Sequence, residues 1–167
     1  MMFRPVVVVV GVLLTGCHSD TAPNLPDGAA PGVKVGVTQC RVIDGKADRR
    51  CTPGLANPAV TPDTIQATIC KPGWTATIRP PTAYTNLLKS SQLKNFSEAG
   101  LPSDYREDHL IPLSAGGDPT DLRNLFPQPT PESKVKDRDE DQAHDDVCSG
   151  RKTLADAQAW IVARWTH

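Results

Sequence analysis

Neither sign of charge predominates in this sequence: 18 Lys and Arg stand against 19 Asp and Glu, a formal net charge of −1. A net basic field that would draw in nucleic acid from a distance is therefore missing. Any binding to a polyanion must use a local patch, and should be weak and non-specific. Aromatic residues are scarce, at 5%, which predicts a thin core in need of other support. No apolar run is long enough to span a bilayer as a stable helix. The longest, Pro5 to Leu14 with its five consecutive valines, falls well short of the ~20 residues a span requires. No Cys-x-x-Cys occurs, so a Cys-rich metal site is not expected. There is no internal repeat and no recognisable sequence-reading module.

What is present begins with Arg4 and the short apolar run, which together have signal-peptide proportions. The run ends in Leu14-Thr15-Gly16-Cys17, which resembles the bacterial lipobox. That resemblance implies a signal peptide over 1–16, cleavage before Cys17, and Cys17 as the lipid-bearing first residue. His18, not Asp, follows the cysteine. By analogy with Gram-negative lipoproteins this favours the outer membrane, with the protein facing the periplasm. Residues 17–33 are small, polar and rich in Pro and Gly, and read as a flexible tether. Residues 34–167 have the size of a single small domain.

Setting Cys17 aside leaves Cys40, Cys51, Cys70 and Cys148, an even number suited to an oxidising compartment. Three pairings are possible. The favoured one joins Cys40 to Cys51, closing a hairpin with Asp44-Gly45 at its turn, and Cys70 to Cys148. The β-branched content of Val33 to Val42 predicts a strand. Thr61 to Ile69 reads as a short helix or turn leading to Cys70. The alternation Trp74-Thr-Ala-Thr-Ile-Arg79 predicts another strand, ended by Pro80-Pro81. Thr82 should cap a helix through about Phe96. Near the end, Gly150 closes one helix, and Thr153 with Asp156 three residues on opens another. Leu154, Ala157, Trp160, Ile161 and Trp165 form the apolar face of that last helix, and its tryptophans read as core.

The chemistry concentrates between Tyr105 and Cys148. Asp108 and His109 adjoin the apolar run Leu110-Ile111-Pro112-Leu113, which favours an extended strand. Successive strand residues face opposite sides, so the two can reach one site only if the strand ends, bulges or twists there. Gly116-Gly117-Asp118-Pro119 predicts a turn, followed by a return segment around Asn124-Leu125-Phe126. Pro127, Pro129 and Pro131 should then stop strand pairing, and Ser133 could cap a helix over 134–148. Glu140 and His144, four apart, share a face of that helix. Hairpin and helix together can gather Asp108, His109, Glu140 and His144 around one cation.

An Asp-His pair, an Asn fifteen residues on and a His twenty beyond that resemble the HNH (ββα-metal, His-Me finger) endonucleases. The likeness covers about forty-four of the 167 residues. A looser likeness to secreted bacterial HNH-like proteins reaches back to about Thr68 through Pro-Gly-Trp-Thr, Arg-Pro-Pro and Tyr-Thr-Asn. The resemblance implies an α+β domain with a ββα core at about 104–148. It implies His109 as general base, Asp108 and His144 as metal ligands, and Asn124 as the residue that holds the loop and orients the base. Glu140 stands where some relatives carry a further ligand. Lys136 and Arg138 are candidates for phosphate contact, with no motif behind them.

A phosphodiester repels hydroxide, so hydrolysis calls for an activated water and for positive charge at the phosphate. An imidazole titrating near about 6.5 suits the base. Oxygen-rich ligands with one His suit Mg²⁺ or Mn²⁺, with Zn²⁺ or Ni²⁺ as alternatives. The acidic run around Glu140 also resembles a calcium loop through Asp137-x-Asp139-x-Asp141. Gln142 at its sixth position and Cys148 at its twelfth exclude an EF-hand. The expected function is a metal-dependent, non-specific endonuclease of the cell envelope, acting on DNA before RNA, with a lipid-held membrane as its other partner and no obligate protein partner. The alternative is an inactive envelope lipoprotein that keeps the fold as a binding or exclusion module.

Overall fold

The structure is a computed structural model and describes residues 39–167. The proposed signal segment, the lipid-bearing Cys17, the tether and most of the Val33–Val42 segment lie outside the described residues. The described part is α+β: an antiparallel pair β1 (Tyr105–His109) and β2 (Leu125–Pro129), with helices α1 (Trp74–Ile78), α2 (Thr82–Asn95), α3 (Thr130–Cys148) and α4 (Leu154–Trp165) around it. No helix among the described residues is long and apolar enough to cross a membrane.

Two disulfides close, Cys40–Cys51 and Cys70–Cys148, the pairing favoured by the sequence. Between the first pair, Ile43 and Lys46 exchange both backbone hydrogen bonds across Asp44 and Gly45. Both turn residues have positive φ, 51° and 71°, the tight hairpin geometry that Asp-Gly favours. Gln128 of β2 donates to the Gly45 carbonyl at 2.7 Å and so ties this hairpin to the sheet. Ala47 pairs with Thr166, which brings the end of the chain back to the same region.

Four local expectations are corrected. Helix α2 starts at Thr82 itself, with Pro81 before it and no side-chain cap, so Thr82 does not cap it. Trp74–Ile78 is a short helix, not a strand. A strand needs a neighbour for its backbone groups, whereas here Ala76 N–H and Arg79 N–H bond locally to Gly73 and Thr75. Trp74 packs against the core from that helix. Pro127 and Pro129 lie inside β2, opposite Glu107 and Tyr105, and do not stop the pairing. Among the described residues the sheet has two strands, so each has an outward edge, and two prolines spaced by two point their missing donors the same way. Helix α3 starts at Thr130, so Ser133 lies within it and does not cap it. Pro131 suits the first turn, where its absent N–H would have had no helical partner.

The end of α3 and the start of α4 follow the sequence closely. Gly150 has φ of 74° just past α3. Thr153 Oγ1 accepts the Asp156 N–H at 3.1 Å at the cap of α4. Ala157, Ile161 and Trp165 of α4 pack with Ala143 and Val147 of α3, and with Leu110 and Phe126 from the ends of the hairpin. This core lies under one face of α3 and leaves β1 and the middle of α3 to frame a polar pocket.

Candidate active site

Strand β1 ends at His109, and the apolar run after it leaves the sheet: Leu110 N–H reaches the carbonyl of Asn124, and Ile111 N–H reaches the Asn124 side chain. The run therefore does not extend the strand as its composition suggested. This ending lets two neighbouring residues share one site. Asp108 and His109 both line a pocket of about 160 Å³, together with Glu107, Arg79, Arg106 and Glu140.

Asn124 is fully buried and uses its side chain as a clamp. Its Oδ1 accepts from Ile111 N–H at 2.8 Å, and its Nδ2 donates to the carbonyls of Ile111 and Asp118 at 3.0 and 2.9 Å. Gly117 makes room for this: a Cβ there would stand 1.8 Å from the Ile111 carbonyl oxygen and 2.7 Å from Asn124 Nδ2. The clamp sets the path of the loop just before Pro119, whose carbonyl lies 3.0 Å from His109 Nε2. A carbonyl only accepts, so Nε2 carries the hydrogen and neutral His109 keeps its lone pair on Nδ1. Burial lowers the His109 pKa, more than the Pro119 carbonyl and Asp108 raise it. The ring is neutral at pH 7, with Nδ1 free to take a proton.

Beneath His109 sits Lys136, from the middle of α3, with no exposed side-chain surface. Its Nζ donates to Asp108 Oδ1 at 2.8 Å, to the His109 backbone carbonyl at 2.7 Å and to Glu140 Oε1 at 2.5 Å. Burial opposes this charge, yet the Asp108 and Glu140 carboxylates outweigh it and raise the lysine pKa. Lys136 therefore has no donor left for phosphate. Arg138, the other basic candidate, is exposed and lies outside the pocket lining.

His144 is not brought to the pocket. It lies one turn beyond Glu140 on α3, with Nε2 3.2 Å from the Ile69 carbonyl and Nδ1 3.3 Å from Asp145 Oδ1. Of the expected ligands, Asp108 and Glu140 meet at Lys136 Nζ, and His144 does not join them. Among the described residues no group of three or more His, Cys, Asp or Glu side chains is placed to hold a metal ion. As arranged, the carboxylates that would take a divalent ion are already bound to an ammonium, and they do not fit one.

Three pocket residues escaped the sequence reading. Arg79 follows α1 and makes no ion pair among the described residues. Its only local signal was its place before Pro80-Pro81. Arg106 pairs with Asp137 at 3.0 Å and remains half exposed. Glu107 is the least expected. Both its carboxyl oxygens are buried without a hydrogen-bond partner. Burial, reinforced by the Asp108 charge, pushes its pKa up to about 9. His109 held neutral and Glu107 held protonated give the pocket an acceptor and a donor of protons at the same pH.

A larger groove of about 650 Å³ lies elsewhere, between Lys46, Glu132, Val135, Trp160 and Trp165. It contains no histidine and none of the acid–base groups just described, so the smaller pocket is the candidate site.

Glu107 makes the stability depend on pH in a defined direction. Its folded pKa, about 9, exceeds the ordinary 4.5. Between those values the folded chain keeps a proton that the unfolded chain has released, so stability falls as pH rises through that window. The slope is at most about 1.4 kcal/mol per pH unit. Glu107→Gln cannot titrate. It should melt close to the wild type near pH 4.5 and increasingly above it toward pH 9. Parallel melting curves across that range would show that Glu107 ionises normally.

No family model, curated protein or solved structure matches this chain.

Proposed function

We propose that this protein hydrolyses phosphodiester bonds of nucleic acid, DNA before RNA, from a position in the bacterial cell envelope. The observation that carries the reading is the state of His109: Nε2 tied to the Pro119 carbonyl, Nδ1 free, the ring neutral, in a polar pocket rimmed by Arg79 and Arg106. His109 Nδ1 takes a proton from water as the water oxygen attacks phosphorus. The bond from phosphorus to the leaving oxygen breaks, and Glu107 returns a proton to that oxygen. Asn124 acts indirectly, by holding the loop that supplies the Pro119 carbonyl. The two guanidinium groups meet the phosphate charge.

The hairpin β1–β2 followed by α3, with Asp108-His109 at the end of β1 and Asn124 leading into β2, supports a ββα core of the HNH kind. The family's divalent ion is given no step, since Lys136 holds the carboxylates that would bind it. Two disulfides accord with an oxidising compartment, and the Leu14-Thr15-Gly16-Cys17 sequence supports lipid anchoring. With no net basic charge, binding to the substrate should be weak and non-specific.

Incubating the purified full chain with supercoiled plasmid and with RNA, in EDTA and in several divalent ions, tests the activity. Nicked and then linear plasmid is the expected product. If neither polymer is cut under any condition, the reading fails, and an envelope module that keeps this fold for binding takes its place.

A further inference from the structure

The three oxygens around Lys136 Nζ are two carboxylates and a backbone carbonyl, the donor types a hard divalent ion selects. An ammonium has three hydrogens, and all three are used. The one carbonyl it holds belongs to His109, so this cation lies directly under the base. Its alkyl stem fills the space between α3 and β1 without exposure to solvent. A divalent ion could take Asp108 only by sharing it with this positive charge or by expelling the stem and leaving a void. His144, the nitrogen ligand that the resemblance implies, has its Nε2 against the Ile69 carbonyl instead.

We propose that Lys136 is the resident cation of this site, standing where a divalent ion would be expected, so that the pocket binds no divalent metal and the phosphate charge falls to Arg79 and Arg106. The catalytic half of this statement rests on the phosphodiesterase reading; the binding half does not. In this arrangement Lys136 is a positioning residue, fixing Asp108 and the backbone of His109, and the arginines touch the substrate. Arg79 is the freer of the two, because Arg106 also serves Asp137.

The test is calorimetric titration of Mg²⁺, Mn²⁺ and Zn²⁺ into the EDTA-treated full chain, alongside plasmid cleavage in EDTA. The wild type should show no stoichiometric binding that depends on Asp108. Lys136→Met, which leaves two carboxylates and a carbonyl without their cation, should gain Mn²⁺ binding at least tenfold and a melting temperature that rises with Mn²⁺. If that variant does not fold, the wild type compared with Asp108→Asn decides: one-to-one binding that Asp108→Asn removes overturns the proposal. Cleavage should persist in EDTA, and cleavage lost in EDTA and restored by Mg²⁺ also overturns it. If nothing is cleaved under any condition, the phosphodiesterase reading fails, and calorimetry alone still decides which cation occupies the site.

Discussion

His109→Ala is expected to lower phosphodiester hydrolysis by roughly 10²–10⁴-fold, the span of a lost general base, while the chain stays folded. The fold should survive because the deep contact at this position is made by the backbone carbonyl of residue 109 to Lys136, which alanine retains. The ring contributes the Pro119 contact and the free Nδ1, and both are lost. His144→Ala should leave the rate within about twofold, since its ring rests on Ile69 and does not reach the pocket. The pH profile should agree. Burial lowers the His109 pKa, so the base stays competent below the roughly 6.5 of a free imidazole, and the acid limb of the profile should lie beneath that value. Initial rates of plasmid nicking between pH 5 and 8, with circular dichroism to confirm folding, measure all of this. Wild-type rates from His109→Ala would remove the base, and an equal loss in His144→Ala would return that residue to the reaction.

The second large effect is expected from the longer disulfide. Cys70–Cys148 closes a separation of 78 residues, and Cys40–Cys51 one of 11. On the chain-entropy model, removing the first should cost about 4.5 kcal/mol and the second about 3 kcal/mol. The difference should grow further through position. Cys148 ends α3, the helix that carries Lys136 and Glu140, and its partner follows Ile69, which is buried and bonded through its carbonyl to His144. Loosening that end frees the helix that supports the pocket, whereas the Cys40–Cys51 hairpin keeps its tie through Gln128. Urea unfolding of the Cys70→Ser/Cys148→Ser and Cys40→Ser/Cys51→Ser double variants measures both. Equal midpoints, or a larger loss from the shorter loop, would contradict the ordering. The aromatic scarcity makes the longer bridge matter more, because the core has fewer large side chains to hold α3 in its absence.

Several elements were legible because their causes are local. Asp44-Gly45 makes a hairpin turn through its own backbone preferences, and Thr153 caps α4 through a residue three places away. The apolar spacing of Leu154, Ala157, Ile161 and Trp165 selects one helix face wherever that helix packs. The adjacent Asp108 and His109 also mark the candidate site within a short stretch, whereas the close approach of Asn124 to Gly117 shows only in the folded chain. Misread stretches share a different property. Trp74 to Ile78 alternates like a strand, but only a neighbouring strand would make it one, and the helix satisfies its backbone without a partner. Pro127 and Pro129 forbid a central strand and permit an edge, and only the number of strands distinguishes the two.

By itself, then, the sequence determined the Asp44-Gly45 turn, the Thr153 cap, the apolar face of α4, the even set of cysteines and the closeness of Asp108 and His109, because each follows from contacts within a few residues. Tertiary structure alone decided what surrounds Asp108. Lys136 lies 28 residues from it, on a helix whose buried positions include Ser133, Lys136, Ala143, Asp146 and Val147, a mixture that no hydrophobic pattern reveals. Whether a lysine in that stripe reaches solvent or two carboxylates depends on where β1 crosses α3. The same crossing buries Glu107 without a partner and leaves His144 a full turn away. Charges choose partners through space, over energies set by burial, and burial is a property of the assembled fold.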